Sequence, residues 1–91
     1  MYYAQFYRRD LSGALAEGVG DRSVVIIDGR LTSQKIFGIA REECNRRGFT
    51  HYRIFKGDSF TRSGAISQMY NAEGRPVYDP FGKLRIKENR V

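Results

Sequence analysis

The 91-residue chain predicts an α+β fold, with one main helix packed on one face of an antiparallel sheet of about four to five strands, in the order β-β-α-β-β-β. Three observations carry this expectation. Residues 32–48 hold one amphipathic helical pattern with its own start and stop signals. Short runs of β-branched and aromatic residues flank it, bounded by Gly, Asp and Asn. Both kinds of segment carry apolar side chains that need cover, and helix against sheet is the simplest arrangement that buries both.

Residues 1–9 read as the first strand, with Tyr2, Ala4 and Phe6 on one face and Tyr3, Gln5 and Tyr7 on the other. Rings on both faces imply either cover on both sides or a partly exposed aromatic surface. Residues 10–21 contain Gly13, Gly18 and Gly20 and read as a mobile connection in which L-S-G-A-L-A-E forms at most a short helical turn. Residues 22–28 give a buried strand, because V-V-I-I is continuous rather than alternating, and Asp28-Gly29 ends it.

Thr32 or Ser33 supplies the N-cap of the helix, its hydroxyl accepting an orphan amide of the first turn. Ile36, Phe37, Ile39, Ala40 and Cys44 fall in one apolar arc, opposite Gln34, Lys35, Gly38, Arg41, Glu42, Asn45 and Arg46. Glu42 with Arg46 and Glu43 with Arg47 are i,i+4 pairs in the favoured order, and Gly48 provides the left-handed stop. Gly38 stands in the polar arc, where glycine costs about 1 kcal/mol relative to alanine. Sequence drift is the preferred reading there, against close approach of a partner backbone.

Residues 50–56 form the next strand, with Tyr52 and Ile54 on one face and His51, Arg53 and Phe55 on the other. Residues 60–62 and 65–71 read as strand, and N-A-E-G at 71–74 as a hairpin turn returning through a short edge strand at 75–78. Residues 82–91 alternate basic and apolar side chains and are either an edge strand through Leu84 and Ile86 or a disordered tail of the single domain 1–91.

Composition bounds the function. No apolar run approaches the ~18 residues of a membrane span, and residues 1–9 lack a signal-peptide core, so a soluble, cytoplasmic protein is expected with no membrane partner. One histidine and one cysteine exclude the usual zinc patterns, so no metal is expected. Cys44 lies on the apolar arc and reads as a packed thiol. G-V-G-D at Gly18 lacks the lysine and hydroxyl residue of a phosphate loop, and no cofactor is expected. Asp28 and Asp58 read as turn residues rather than paired catalytic carboxylates.

Sixteen basic against ten acidic residues give a net charge of +6, and twelve of the sixteen are arginine. The planar five-donor guanidinium suits phosphates, carboxylates and aromatic faces, so this bias points to a polyanionic or acidic partner. A metal-free ribonuclease using His51, Tyr52, Arg53 and Lys56 is the surviving enzyme reading, weakened because Tyr52 alternates away from His51 and Arg53. No catalytic residue is assigned. Direct nucleic-acid binding has its phosphate contacts in Arg41, Arg46, Arg53, Lys56, Arg62, Lys83, Arg85 and Lys87, and its stacking rings in Tyr3, Tyr7, Phe55 and Tyr70. The signatures of the common RNA-binding modules are absent from the sequence.

The run L-T-x-x-K-x-x-x-x-A-x-x-E at residues 31–43, then Y-R-I-F and a turn with A-E-G-R, resembles in layout small phage-encoded proteins, among them anti-CRISPR inhibitors that pair one helix with an antiparallel sheet. The likeness covers most of the chain by order of elements and the helix by residue type, and no residue role transfers from it. It implies a non-enzymatic inhibitor that occupies a host protein or ribonucleoprotein complex. The expected function is therefore stoichiometric binding through Lys35, Arg41 and Arg46 on the helix and Arg53, Lys56 and Arg62 on the strands. Direct low-specificity binding of DNA or RNA is the alternative. Dimerisation through a sheet edge is permitted but not required.

Overall fold

The structure, a computed structural model, describes residues 1–57, 67–77 and 86–87. Its elements are β1 (Tyr2–Arg9), β2 (Leu15–Glu17), β3 (Val24–Ile27), α1 (Ser33–Arg46), β4 (His51–Lys56), β5 (Tyr70–Asn71) and β6 (Ile86–Lys87), with a 3-10 turn at Asp21–Ser23 before β3. The expected α+β class holds: one helix covers a predominantly antiparallel sheet.

β1 is the organising strand. On one side it pairs antiparallel with β4, from Tyr2 opposite Lys56 to Tyr7 opposite His51. Its other side is shared, with β3 opposite residues 2–5 and β2 opposite residues 7–9. β5 extends the sheet beyond β4, and β6 adds to β2 in parallel, Leu15 opposite Ile86. Alternation along β1 then decides the two faces. Ala4 and Phe6, with Ile27, Tyr52 and Ile54, meet Ile36, Ala40 and Cys44 of α1 in the main core. Tyr7 packs on the opposite face with Leu15 and Met69 in a second cluster.

The helix signals act where the sequence puts them. Thr32 Oγ1 accepts the Lys35 N–H at 3.3 Å. Gly48 takes φ +78°, and the Gly48 and Phe49 amides bond back to Asn45 and Cys44 carbonyls at 3.2 and 3.0 Å, closing a Schellman cap. Glu43 pairs with both Arg46 and Arg47, so Arg46 turns to Glu43 and not to the expected Glu42.

Three expectations need correction. The connection at 10–21 contains a strand, β2, so the order reads β-β-β-α-β-β-β among the described residues. Its turn is tight: Asp10 Oδ1 accepts the amides of Ser12 (2.8 Å) and Ala14 (3.1 Å), and Ala14 O accepts the Asp10 N–H at 2.9 Å. V-V-I-I is not buried on both faces; Ile27 is buried, Val24 and Val25 are half-buried and Ile26 is exposed, as befits a strand with one paired edge among the described residues. Residues 67–69 are not strand, and the described part of the expected return, residues 75–77, makes an isolated bridge between Tyr70 and Pro76 in place of a strand. The expected strand at 60–62, the residues Asp58, Arg62, Tyr78, Lys83, Leu84 and Arg85, and most of the tail lie outside the described residues.

Candidate functional site

At ~100° per residue, Gln34, Gly38, Arg41 and Asn45 share one flank of α1, next to the buried stripe of Ile36, Ala40 and Cys44. Facing this flank is the turn after β5. Asn45 Nδ2 ties the two together, donating to Arg41 O at 3.0 Å and to Ala72 O at 2.6 Å. Within the turn, Asn71 Oδ1 accepts the Glu73 and Arg75 amides, both at 3.0 Å. Gly74 completes it at φ +82°, a conformation L side chains rarely adopt.

Between helix and turn lies a cleft of about 330 Å³ lined by Gln34, Phe37, Gly38, Arg41, Tyr52, Tyr70 and Gly74. Its aromatic wall is preorganised: Tyr52 and Tyr70 stack at 5.6 Å between ring centroids, and Phe37 meets Tyr70 edge-on at 5.2 Å. The polar groups converge beside Gly74. A β-carbon there would lie 3.7 Å from Arg41 Nη1 and 3.8 Å from Tyr52 Oη, with Arg41 Cδ pressed against it at 3.1 Å. Burial pushes the Tyr52 phenol up, with Arg41 acting in the opposite sense, so at neutral pH this hydroxyl is a proton donor. A guanidinium and a phenol flanking the same stretch of cleft wall are the donor types suited to a carboxylate or phosphate oxygen.

The five candidate contacts among the described residues do not share one surface. Arg41 lines the cleft, whereas Lys35 and Arg46 stand on the other flank of α1, roughly a third of a turn away. Arg53 lies on the sheet face away from the helix, half-buried, with Nε donating to Ser67 O at 3.4 Å. Lys56 is exposed at the end of β4, beside Met1, Tyr2 and Arg30. Arg62 falls outside the described residues.

Charge pairing separates the cations further. Arg30 is bidentate with Asp28, Arg46 and Arg47 hold Glu43, and Arg75 stands 4.0 Å from Glu73. The Arg30 guanidinium holds the Asp28 carboxyl below its ordinary range, and Arg46 does the same for Glu43. Arg8 and Arg9 are exposed and donate to neutral carbonyls, Arg8 Nη2 to Gly48 O at 3.0 Å and Arg9 Nη1 to Gly13 O at 2.7 Å, with Arg8 also lying 5.0 Å over the Phe49 ring. Arg22, Lys35 and Arg41 are exposed and have no ion-pair partner among the described residues.

The rings expected to stack on bases are mostly interior. Tyr3 and Tyr7 are 0% exposed and Phe55 4%, and Tyr3 stacks on Phe55 at 5.2 Å. Tyr70 alone of the four is half-buried, in the cleft wall. His51 is also interior; its Nδ1 lies 2.7 Å from Thr50 Oγ1, and burial together with Arg9 pushes its pKa down. It faces away from the helix with Arg53, while Tyr52 faces the helix, so the three do not meet on one surface. Cys44 is a core thiol, driven up to about 11 by burial. No group of three or more His, Cys, Asp or Glu is placed to hold a metal ion among the described residues. Among them, too, no helix is long and apolar enough to cross a membrane.

The helical flank of this cleft is readable from sequence, since Gln34, Gly38, Arg41 and Asn45 recur at helical spacing. Its other wall is not. Tyr52, Tyr70 and Gly74 reach it through strand order, which local periodicity does not encode. Comparison with protein families, with curated proteins and with solved structures finds no match to this chain.

Proposed function

We propose that this protein is a non-enzymatic, stoichiometric binding module whose arginine-bearing surface docks an acidic partner protein. In the setting implied by its likeness to phage-encoded inhibitors, that partner is a host protein or a ribonucleoprotein complex. One observation supports this over direct nucleic-acid binding. Exposed Arg22, Lys35 and Arg41 stand without carboxylate partners among the described residues, while Tyr3, Tyr7 and Phe55, three of the four rings a single strand would stack on, are buried. Arginine and tyrosine facing a cleft are also the residue types that dominate protein interfaces.

Titration of labelled single- and double-stranded oligonucleotides against the protein, from low to physiological salt, tests the reading. The expected result is no saturable binding. Tight binding whose affinity falls linearly in log–log form with salt would transfer the function to direct nucleic-acid recognition. Incubating RNA with the wild type and with His51→Ala tests catalysis in the same series; RNA stays intact with both, and cleavage lost in the variant would make the protein a ribonuclease.

A further inference from the structure

The cleft beside Gly38 has the features of a built contact point. Arg41 Nη1 and Tyr52 Oη both lie within 4 Å of the β-carbon position of Gly74, and neither group has a hydrogen-bond partner among the described residues. Among the described residues nothing demands glycine at position 38. Its φ is helical, and a β-carbon there would meet nothing within 4 Å. The missing side chain, in a helix interior where glycine is disfavoured, leaves the mouth of the cleft open between Gln34 and Arg41.

We propose that this cleft receives an aspartate or glutamate side chain of the partner protein, the carboxylate seated between Arg41 and Tyr52 and its methylene stem against Tyr70 and Phe37. The inference deepens the acidic-partner reading and rests on it. Charge favours this occupant, since Arg41 is exposed and has no carboxylate partner among the described residues, on a chain of net charge +6. Ring geometry disfavours a nucleobase. Tyr70 already stacks on Tyr52 and meets Phe37 edge-on, so the wall has no parallel pair of rings between which a base slides.

The test is a ¹⁵N chemical-shift titration of the full chain with a capped hexaglutamate peptide, run beside inorganic phosphate and a short oligothymidylate. The peptide is expected to give saturating shifts at the Gly38 and Gly74 amides and at Arg41 Nε. Arg41→Gln weakens binding about tenfold or more, as loss of a charge-assisted contact requires. Arg30→Gln, which removes the same unit of charge from a residue paired with Asp28, leaves binding within about twofold. Gly38→Leu closes the mouth and abolishes binding while the melting temperature holds or rises, so loss of binding there is not loss of fold. Peptide shifts that saturate elsewhere and ignore Arg41→Gln overturn the cleft but leave the acidic-partner reading standing. Phosphate saturating the same amides where the peptide does not overturns the carboxylate assignment. Saturation by the oligonucleotide with no response to the peptide overturns both readings.

Discussion

Arg47 leaves the C-terminal end of α1 with its side chain 17% exposed, and its surroundings explain why. Nη1 donates to the carbonyls of Val24 (2.8 Å), Arg22 (3.2 Å) and Asp21 (3.5 Å), Nη2 lies 3.5 Å from Glu43, and the guanidinium sits 5.6 Å over the Phe6 ring. One side chain thus fastens the helix end to the 3-10 turn and to β3. Arg47→Lys keeps the charge but loses the fork that reaches several carbonyls at once. Arg47→Ala leaves the Val24 carbonyl without this donor and is expected to cost about 2–3 kcal/mol in urea unfolding, with Arg47→Lys recovering less than half. A loss below ~0.5 kcal/mol for the alanine variant would mean that water replaces the guanidinium freely. Cys44 makes the opposite residue-scale case. Its thiol is fully buried and pushed to about 11, so a maleimide at neutral pH should label it only at the rate of unfolding, and denaturant should abolish the protection.

At the scale of the element, α1 is held by local and long-range terms that mutation can separate. Gly38→Ala adds a side chain in open space and restricts the unfolded chain, so stability should rise by about 1 kcal/mol. Asn45→Ala removes the donor that bridges Arg41 O and Ala72 O and should lower stability by about 1 kcal/mol, with faster hydrogen exchange at the Gly74 amide, which bonds to Asn71 O. The helix was legible residue by residue because its cap, its stripe and its Schellman stop act within a few positions of one another. β2 was not. Its three residues sit among glycines, and what makes L-A-E extended is antiparallel pairing to Arg9, Arg8 and Tyr7, a non-local contact that no window of sequence contains. The same reason hid the cleft. Arg41 is recognisable as an exposed cation, but its convergence with Tyr52 near Gly74 follows from β4 lying between β1 and β5. Aromatics on both faces of β1 permitted an exposed platform; burial of Tyr3 and Tyr7 decides for cover on both sides.

For the whole molecule, the ionisable groups that folding perturbs confine stability to a pH window whose edges follow from their signs. His51 has its pKa lowered from 6.5 by burial and by Arg9. The folded state therefore resists its protonation, so its contribution is full above 6.5 and is lost as pH falls from there toward the depressed value. Asp28 and Glu43 are lowered by Arg30 and Arg46 from 3.8 and 4.5, which adds a second loss further down as these carboxylates protonate. On the alkaline side the acids are raised, Cys44 from 9.0 to about 11 and Tyr52 above 10.0, both chiefly by burial. The unfolded chain ionises first, so stability declines as pH climbs above 9.0. Melting temperature against pH should accordingly be flat between about 6.5 and 9 and fall on both sides, with the acid branch in two stages. His51→Gln should remove the stage just below pH 6.5 and leave the lower one, and Cys44→Ala should make the alkaline branch shallower while lowering the whole curve through the cavity it leaves. A wild-type profile without the upper acid stage would show that the His51 imidazolium is accommodated where it sits, beside Thr50 and Arg9, with water reaching it in the folded state.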